Sequence, residues 1–225
     1  SERNNDDPFY IMFTSGSTGQ PKGVVITTGC LEDFVSWMLD EQAIQEGEVF
    51  LNQAPFSFDL SVMDLYMSLA SGGTLASISR DDVANPAQLF RTLPSLNLSV
   101  WVSTPSFAQL CLQEPAFRDS MLPGMKSFLF CGETLPSGVA RELRKRFPNA
   151  EVWNTYGPTE ATVATTSVNI DENILEKYPE LPVGKEKPGT LVFIVNQNGD
   201  TETDGERGEI VIAGLNVALG YLGRD

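Results

Sequence analysis

The chain contains no histidine in its 225 residues. That absence removes Ser-His-Asp catalysis, Cys-His catalysis and any histidine-ligated metal from within this sequence. Cysteine is scarce: Cys30, Cys111 and Cys131 are odd in number and include no CxxC pair, so reduced thiols in a cytoplasmic protein are the simplest account. Positive charge is also scarce, with 15 Lys and Arg against 30 Asp and Glu and a net charge of −15. Nucleic acid and an anionic membrane surface both require a basic face, so neither is expected as a partner. No apolar run approaches the ~18 residues of a membrane span. Ser1 to Asp7 is polar and acidic, unlike a signal peptide, and no membrane insertion is expected. A hydrophobic fraction of 41% and a charged fraction of 20% are those of an ordinary globular protein. A bound nucleotide stays open, because one local cluster of donors suffices for it.

The first two thirds alternate between strand-like and helix-like runs. Val24 to Thr27 reads as a strand, and Leu31, Phe34, Val35, Met38 and Leu39 then recur at helical spacing behind Thr28 as the cap. Val49 to Leu51, Thr74 to Ile78, Ser99 to Val102, Phe128 to Phe130 and Glu151 to Trp153 are strand-like. Asp59 to Leu69, Pro105 to Leu112 and Gly138 to Phe147 are helical. This rhythm predicts an α/β fold with a parallel sheet flanked by helices. After Ala164 the pattern changes to strands at Val168, Val183, Leu191–Val195 and Ile210–Ile212, with turns at Asn196–Gly199 and Thr203–Gly205. We therefore expect an α/β unit over 1–164 and a smaller antiparallel β unit over 165–225.

The most informative segment is Phe13-Thr14-Ser15-Gly16-Ser17-Thr18-Gly19-Gln20-Pro21-Lys22-Gly23, set between two apolar runs. Its glycines allow close approach and positive φ. Its backbone N–H groups and the hydroxyls of Thr14, Ser15, Ser17 and Thr18 suit phosphate oxygens, and Lys22 adds a mobile point charge. It is not a Walker A loop, because Lys22 follows proline and no Ser or Thr follows it. A solvated Gly/Ser hairpin loop has the same composition.

The complete string resembles the phosphate loop of the adenylate-forming superfamily, which includes acyl-CoA synthetases, luciferases and amino-acid adenylation domains. Four further segments match that superfamily in order: Phe58-Asp59-Leu60-Ser61, Cys131-Gly132-Glu133-Thr134-Leu135-Pro136, Asn154-Thr155-Tyr156-Gly157-Pro158-Thr159-Glu160, and Gly208-Glu209-Ile210-Val211-Ile212-Ala213-Gly214. Within it, Ser57–Tyr66, Phe130–Glu133, Gly184–Gly189 and Val217–Leu222 are similar to the ligases that charge a carrier protein with D-alanine for teichoic acid modification. Met67 and Ser68, where those ligases tend to carry proline, depart from the pattern.

The resemblance implies roles residue by residue. Thr14, Ser15, Gly16, Ser17, Thr18, Gly19 and Lys22 would hold the β- and γ-phosphates of ATP. Gly132, Glu133, Asn154, Thr155, Tyr156 and Gly157 would meet adenine, with Tyr156 either a stacking partner or a core aromatic. Thr159 would reach the α-phosphate. Glu160 is either a surface carboxylate or the ligand of Mg²⁺, a hard cation suited to oxygen. Asp59 either caps its helix or holds a substrate ammonium. Leu60, Met63, Ser103, Leu129, Cys131, Val163 and Ala164 would line the substrate pocket and keep it small. Cys131, with no histidine to activate it and apolar neighbours, is expected to be an inert thiol. The implied partners are D-alanine and a phosphopantetheinylated D-alanyl carrier protein. An adenylation domain of a nonribosomal peptide synthetase is the alternative enzyme, and an acyl-CoA synthetase fits less well because of Asp59. The superfamily's ribose aspartate, hinge and catalytic C-terminal lysine are not in the sequence. The chain is thus expected to be a core of the large N-terminal domain, inactive on its own, with a non-catalytic nucleotide-binding fragment as the alternative reading.

Overall fold

The structure is a computed structural model and describes residues 4–15, 20–201 and 207–223. Strands β1 (Pro8–Thr14) and β2 (Lys22–Thr27) flank the Gly/hydroxyl loop and pair antiparallel, with Thr14 opposite Lys22. Helix α1 (Thr28–Glu41) follows directly. Its cap is Thr27, whose hydroxyl accepts from the Cys30 N–H at 3.2 Å, one residue before the expected Thr28. The chain continues through β3 (Val49–Asn52), α2 (Leu60–Ala70), β4 (Thr74–Ser77), α3 (Arg80–Ala84), α4 (Pro86–Thr92), β5 (Val100–Ser103), α5 (Pro105–Cys111), β6 (Ser127–Phe130), α6 (Ser137–Arg146) and β7 (Glu151–Tyr156). It ends with β8 (Thr166–Asn169), α7 (Glu172–Lys177), β9 (Lys185–Glu186), β10 (Leu191–Val195), β11 (Glu209–Ala213) and β12 (Gly220–Tyr221). The sequence pattern missed α3, α4 and α7. Each is too short to show a period and is started by its cap: a Ser79–Asp82 capping box, Asn85 ahead of Pro86, and Asp171 accepting from the Ile174 N–H.

The central sheet has the order β4-β3-β5-β6-β7-β8-β9, parallel from β4 to β7 and antiparallel at β8 and β9. Two expectations change here. Strand β2 does not join the parallel rhythm but a separate sheet, β1-β2-β12. The strand at Val168, placed in the antiparallel β unit by sequence, extends the central sheet instead, and only β10 and β11 form a sheet of their own. Residues 164 and 165 therefore mark a reversal of strand direction within one sheet. Val183 lies outside any strand. The chain must first pass Ser167 at Gly184, where φ is +89° and a Cβ would fall 1.8 Å from the Ser167 carbonyl oxygen, so pairing starts only at Lys185. The Asn196–Gly199 turn forms as expected, closed by the Gly199 N–H to the Asn196 carbonyl at 3.0 Å. The turn expected at Thr203–Gly205 lies outside the described residues.

Both faces of the central sheet are apolar, and the two-residue strand period divides them. Phe50, Val100, Val102, Leu129 and Trp153 pack with Phe34, Met38, Leu60 and Met63 of α1 and α2. Leu51, Trp101, Phe128 and Val152 pack with Phe107, Phe117, Leu143 and Phe147. No helix among the described residues is long and apolar enough to cross a membrane.

One carboxyl lies inside the first layer. Asp64 of α2 is fully buried and accepts from the Asn52 side-chain N–H at 3.1 Å, while Ser77 donates to the Asn52 amide oxygen at 3.0 Å. Burial raises the Asp64 carboxyl from the usual aspartate range to about 7, against the lowering effect of Asn52. A folded-state value above the unfolded one means that the protonated form favours folding. The contribution is complete below the unfolded value near 4 and is lost as pH rises through about 7. We expect stability to fall over that window by on the order of 2–4 kcal/mol from this group. Asp64→Asn should flatten the slope and exceed the wild type at pH 8. Urea midpoints measured from pH 4 to 8 check this, and parallel profiles for the two proteins would contradict it.

Candidate active site

The residues expected to meet adenine lie together at the carboxyl ends of β6 and β7, where open α/β sheets bind ligands. A cavity of about 800 Å³ opens there, lined by Gly132, Glu133, Asn154, Thr155, Tyr156 and Gly157 among others. Tyr156, the last residue of β7, is 37% exposed, so its ring is accessible to a ligand in that cavity rather than locked in the core. Gly132 has φ +89°, and a Cβ there would meet the Phe58 ring at 3.1 Å. Gly157 has no room either: a Cβ would sit 2.6 Å from the Ala164 Cα. Its bare backbone lets Tyr156 accept from the Thr165 N–H at 2.7 Å.

Three polar side chains of this wall are already engaged. The Glu133 carboxylate accepts from the Ser106 N–H at 3.1 Å and the Ser106 hydroxyl at 3.0 Å, holding the start of α5. The Asn154 amide donates to the Pro182 carbonyl at 2.8 Å and ties down the 179–183 segment, which lines the cavity and which the sequence gave no reason to include. The Thr155 hydroxyl donates to the Phe130 carbonyl at 2.8 Å.

Six of the expected substrate-side residues, Leu60, Met63, Leu129, Cys131, Val163 and Ala164, fall into one buried cluster. Asp59 stands at its edge, immediately before α2. It is 7% exposed and its side chain makes no capping bond to α2. Its carboxylate instead accepts from the Thr159 hydroxyl at 2.5 Å. Burial raises the Asp59 carboxyl, Thr159 opposes the rise, and the nearby Glu160 adds to it. A buried carboxylate in that condition is improved by a cationic partner. Ser103 is not brought to this cluster. Its hydroxyl accepts from the Trp101 indole N–H at 2.8 Å, so it shares the opposite face of the sheet, as the alternation from Val102 requires. Cys131 is buried, its thiol is pushed up to about 11 by burial, and it donates to the Val163 carbonyl at 3.4 Å. The thiol is inert, as its surroundings predict.

On the other side, Thr14 and Lys22 close the mouth of the Gly/hydroxyl loop as a cross-strand pair, with Ser15 exposed beside them. Gly16, Ser17, Thr18 and Gly19 lie outside the described residues. Glu160 accepts from the Tyr221 hydroxyl at 2.7 Å, and its own carbonyl accepts from the Ala218 N–H at 2.8 Å. Among the described residues, no group of three or more His, Cys, Asp or Glu side chains could enclose a metal. The described donor set here is one carboxylate, with Lys22 on the other side of Tyr221. That suits Mg²⁺, which takes one or two carboxylates and completes its shell with phosphate and water.

The chain matches the AMP-binding enzyme family over residues 1–222. It belongs to that family. A D-alanine–D-alanyl carrier protein ligase of Bacillus licheniformis is 55% identical over 218 residues, covering 97% of this chain and 43% of that ligase. Among solved structures, the Vibrio cholerae adenylation domain AlmE in complex with glycyl-adenosine-5′-phosphate superposes with a TM-score of 0.86 at 28% identity, covering 98% of this chain and 42% of that one. The nonribosomal peptide synthetase FmoA3 gives 0.87 at 27% identity, covering 97% and 23%. The chain thus spans less than half the length of these relatives.

In this member of the AMP-binding enzyme family the loop after Glu160 carries backbone strain. Thr162 and Val163, both β-branched, have φ of +56° and +69°, and the Ala164 N–H closes a three-residue turn on the Thr162 carbonyl at 2.8 Å. Such residues cost about 1–3 kcal/mol each and persist only when their surroundings impose them. Asn216 is the imposing residue. It is fully buried, donates to the Ala161 carbonyl at 2.9 Å and the Thr165 hydroxyl at 3.0 Å, and accepts from Thr162 and Thr190. Neither Asn216 nor Tyr221 was assigned a role from sequence. Tyr221 lay in a matched segment, but a Gly-Tyr pair carries no local sign of a partner 61 residues away.

Proposed function

We propose that the protein, at the full length of its relatives, is an ATP-dependent ligase acting in the cytoplasm. It activates D-alanine as an aminoacyl adenylate and passes it to the phosphopantetheine thiol of a D-alanyl carrier protein, supplying D-alanine for teichoic acid modification of the cell wall. The observation that carries this reading is the buried Asp59 carboxylate, held by Thr159 beside a small apolar cluster that includes Cys131.

The chemistry follows from these positions. A substrate carboxylate is ionised at neutral pH and needs no general base. One of its oxygens attacks the α-phosphorus, a new O–P bond forms, and pyrophosphate leaves with the electrons of the broken bond. Asp59 binds the ammonium and fixes the direction of approach. Leu60, Met63, Leu129, Cys131, Val163 and Ala164 limit the side chain. Tyr156 offers its accessible ring to the adenine, with Gly132, Glu133, Asn154, Thr155 and Gly157 forming the wall. Thr14 to Lys22 donate to phosphate oxygens, and Lys22 adds charge; the Thr159 hydroxyl, given to Asp59 here, reaches the α-phosphate only by leaving that bond. Glu160 is the residue that would hold Mg²⁺, whose role when bound is to neutralise phosphate charge.

Amino-acid-dependent pyrophosphate exchange with D-alanine, L-alanine, glycine and D-serine tests the reading. D-alanine should give the highest rate. The structural likeness to a nonribosomal peptide synthetase favours an adenylation domain as the second reading, and a large or aromatic preferred amino acid would decide for it. Glu160→Gln keeps the size of the side chain but removes its charge. It should lower kcat/KM on the order of 10²-fold while leaving metal-free nucleotide binding little changed. Normal turnover in that variant would place Glu160 outside the metal site.

A further inference from the structure

The segment from Gly214 to Leu222 is bonded to both halves of the phosphate-facing region. The Leu219 and Leu222 N–H groups donate to the carbonyls of Val25 and Gly23, at 3.0 and 2.7 Å, so that β12 is a third strand on the sheet that follows the Gly/hydroxyl loop. The Ala218 N–H reaches across to the carbonyl of Glu160 at 2.8 Å. Tyr221 lies at the crossing. Its hydroxyl donates to Glu160 Oε1 at 2.7 Å, and the Nζ of Lys22 stands 5.1 Å from the centroid of its ring.

We propose that Tyr221 is a positioning residue that holds two groups at once: the Glu160 carboxylate through its hydroxyl, and the Lys22 ammonium over its ring face. The inference rests on the ligase reading only for the identity of the groups, a divalent cation and a nucleotide triphosphate.

Two properties of the arrangement support it. The hydroxyl donates to one carboxylate oxygen and so fixes the rotation of a side chain that otherwise turns about three bonds. An oriented ligand binds a metal more tightly than a free one, and the loss of such an outer partner typically costs 10–100-fold in metal affinity. The ring holds Lys22 without neutralising it. A carboxylate in the same place would cancel the charge that the phosphates need, whereas an aromatic face attracts the ammonium and leaves its full charge for a phosphate. One side chain therefore sets the spacing between the negative and positive elements of the site. Because it is part of β12, that spacing is tied to the backbone of the loop strand.

The two contacts are separable by substitution. Tyr221→Phe removes only the hydroxyl, and Tyr221→Leu removes the ring as well. The experiment titrates Mn²⁺ into the full-length protein holding a non-hydrolysable ATP analogue, with free Mn²⁺ read by paramagnetic resonance. Metal-free affinity for the analogue is measured separately. Tyr221→Phe should weaken Mn²⁺ binding about 10-fold and leave the metal-free nucleotide affinity unchanged. Tyr221→Leu should add a loss of about 2- to 5-fold in metal-free nucleotide affinity, the loss of an exposed cation–π contact. In a Glu160→Gln background, Tyr221→Phe should have no further effect on Mn²⁺. An equal loss in both backgrounds, or wild-type Mn²⁺ affinity in Tyr221→Phe, would overturn the proposal. Wild-type protein that binds Mn²⁺ and the analogue but shows no D-alanine-dependent exchange would instead remove the ligase reading and leave the role of Tyr221 standing.

Discussion

Asp59→Ala should lower kcat/KM for D-alanine by about 2–5 kcal/mol in transition-state terms, the range for removing one member of a buried, hydrogen-bonded charge pair. The estimate rests on the position of Asp59. It is nearly inaccessible, its side chain makes no capping bond to α2, and its carboxylate accepts from the Thr159 hydroxyl. An ammonium placed there meets a carboxylate already stripped of water, so its loss is not softened by solvent. Asp59→Asn keeps the acceptor toward Thr159 and removes the charge, so it should fall close to Asp59→Ala if charge is what matters. Cys131→Ala should behave differently. It vacates little more than the volume of a sulfur beside Val163, and should spare D-alanine while improving L-alanine or D-serine within the ~10–200-fold that small volume differences allow. The measurement is kcat/KM for the three amino acids across wild type and variants. A fully active Asp59→Ala would end the amino-acid reading of this pocket, and an unchanged D/L preference in Cys131→Ala would remove the thiol from the account of specificity.

The second large effect is on stability. Lys187, directly after β9, is 1% exposed at its side chain and forms an ion pair with Asp33 of α1. Its ammonium also donates to the Pro188 carbonyl at 3.5 Å. Asp33→Ala leaves a buried cation without its counter-charge and should cost about 3–5 kcal/mol. Asp33→Ala with Lys187→Met replaces the pair by apolar surface and should recover most of that loss. Urea midpoints of the wild type, the single and the double variants give the numbers. A single variant within about 1 kcal/mol of the wild type, as surface ion pairs are, would show that Lys187 finds water. The pair has a bearing on the site as well. The Lys187 N–H donates to the Thr165 carbonyl at 2.8 Å, so α1 is fastened to the segment that continues from the strained Thr162–Val163 turn.

The wall of the candidate site was legible in the sequence where unusual residues follow one another. Gly132 and Gly157 announce themselves because no side chain fits where they lie, and the Thr-Glu pair beside them is short-range chemistry. The α/β alternation was legible because both faces of the sheet are buried and β3, β5, β6 and β7 each send apolar residues to both of them. What failed was mostly long-range. Ser103 was grouped with the substrate pocket, but its place in the strand period turns it toward Trp101. The strands after residue 164 carry the same residue types whether they extend an old sheet or start a new one, so the membership of β8 and β9 could not be read locally. Asn216, Tyr221, Lys187 and Asp33 have partners far away in sequence, and a polar residue with a distant partner looks the same as one facing water until the fold brings the two together.

The pairing of β12 with β2 also sets a timetable for a chain made from its N-terminus. Gly220 and Tyr221 meet Val25 and Val24 across almost the entire described length. While the ribosome is still adding the residues between, β1 and β2 can form their hairpin, but the edge of β2 that takes β12 has no other strand beside it among the described residues. Nascent strands with an open edge invite pairing with another chain. The central layer, built from nearest-neighbour crossovers, can assemble earlier. The loop-strand sheet and the orientation of Glu160 wait until Tyr221 has been made. Translation pauses or truncations just before that residue should therefore yield chains with a formed core, an unfinished phosphate-facing edge and a raised tendency to associate.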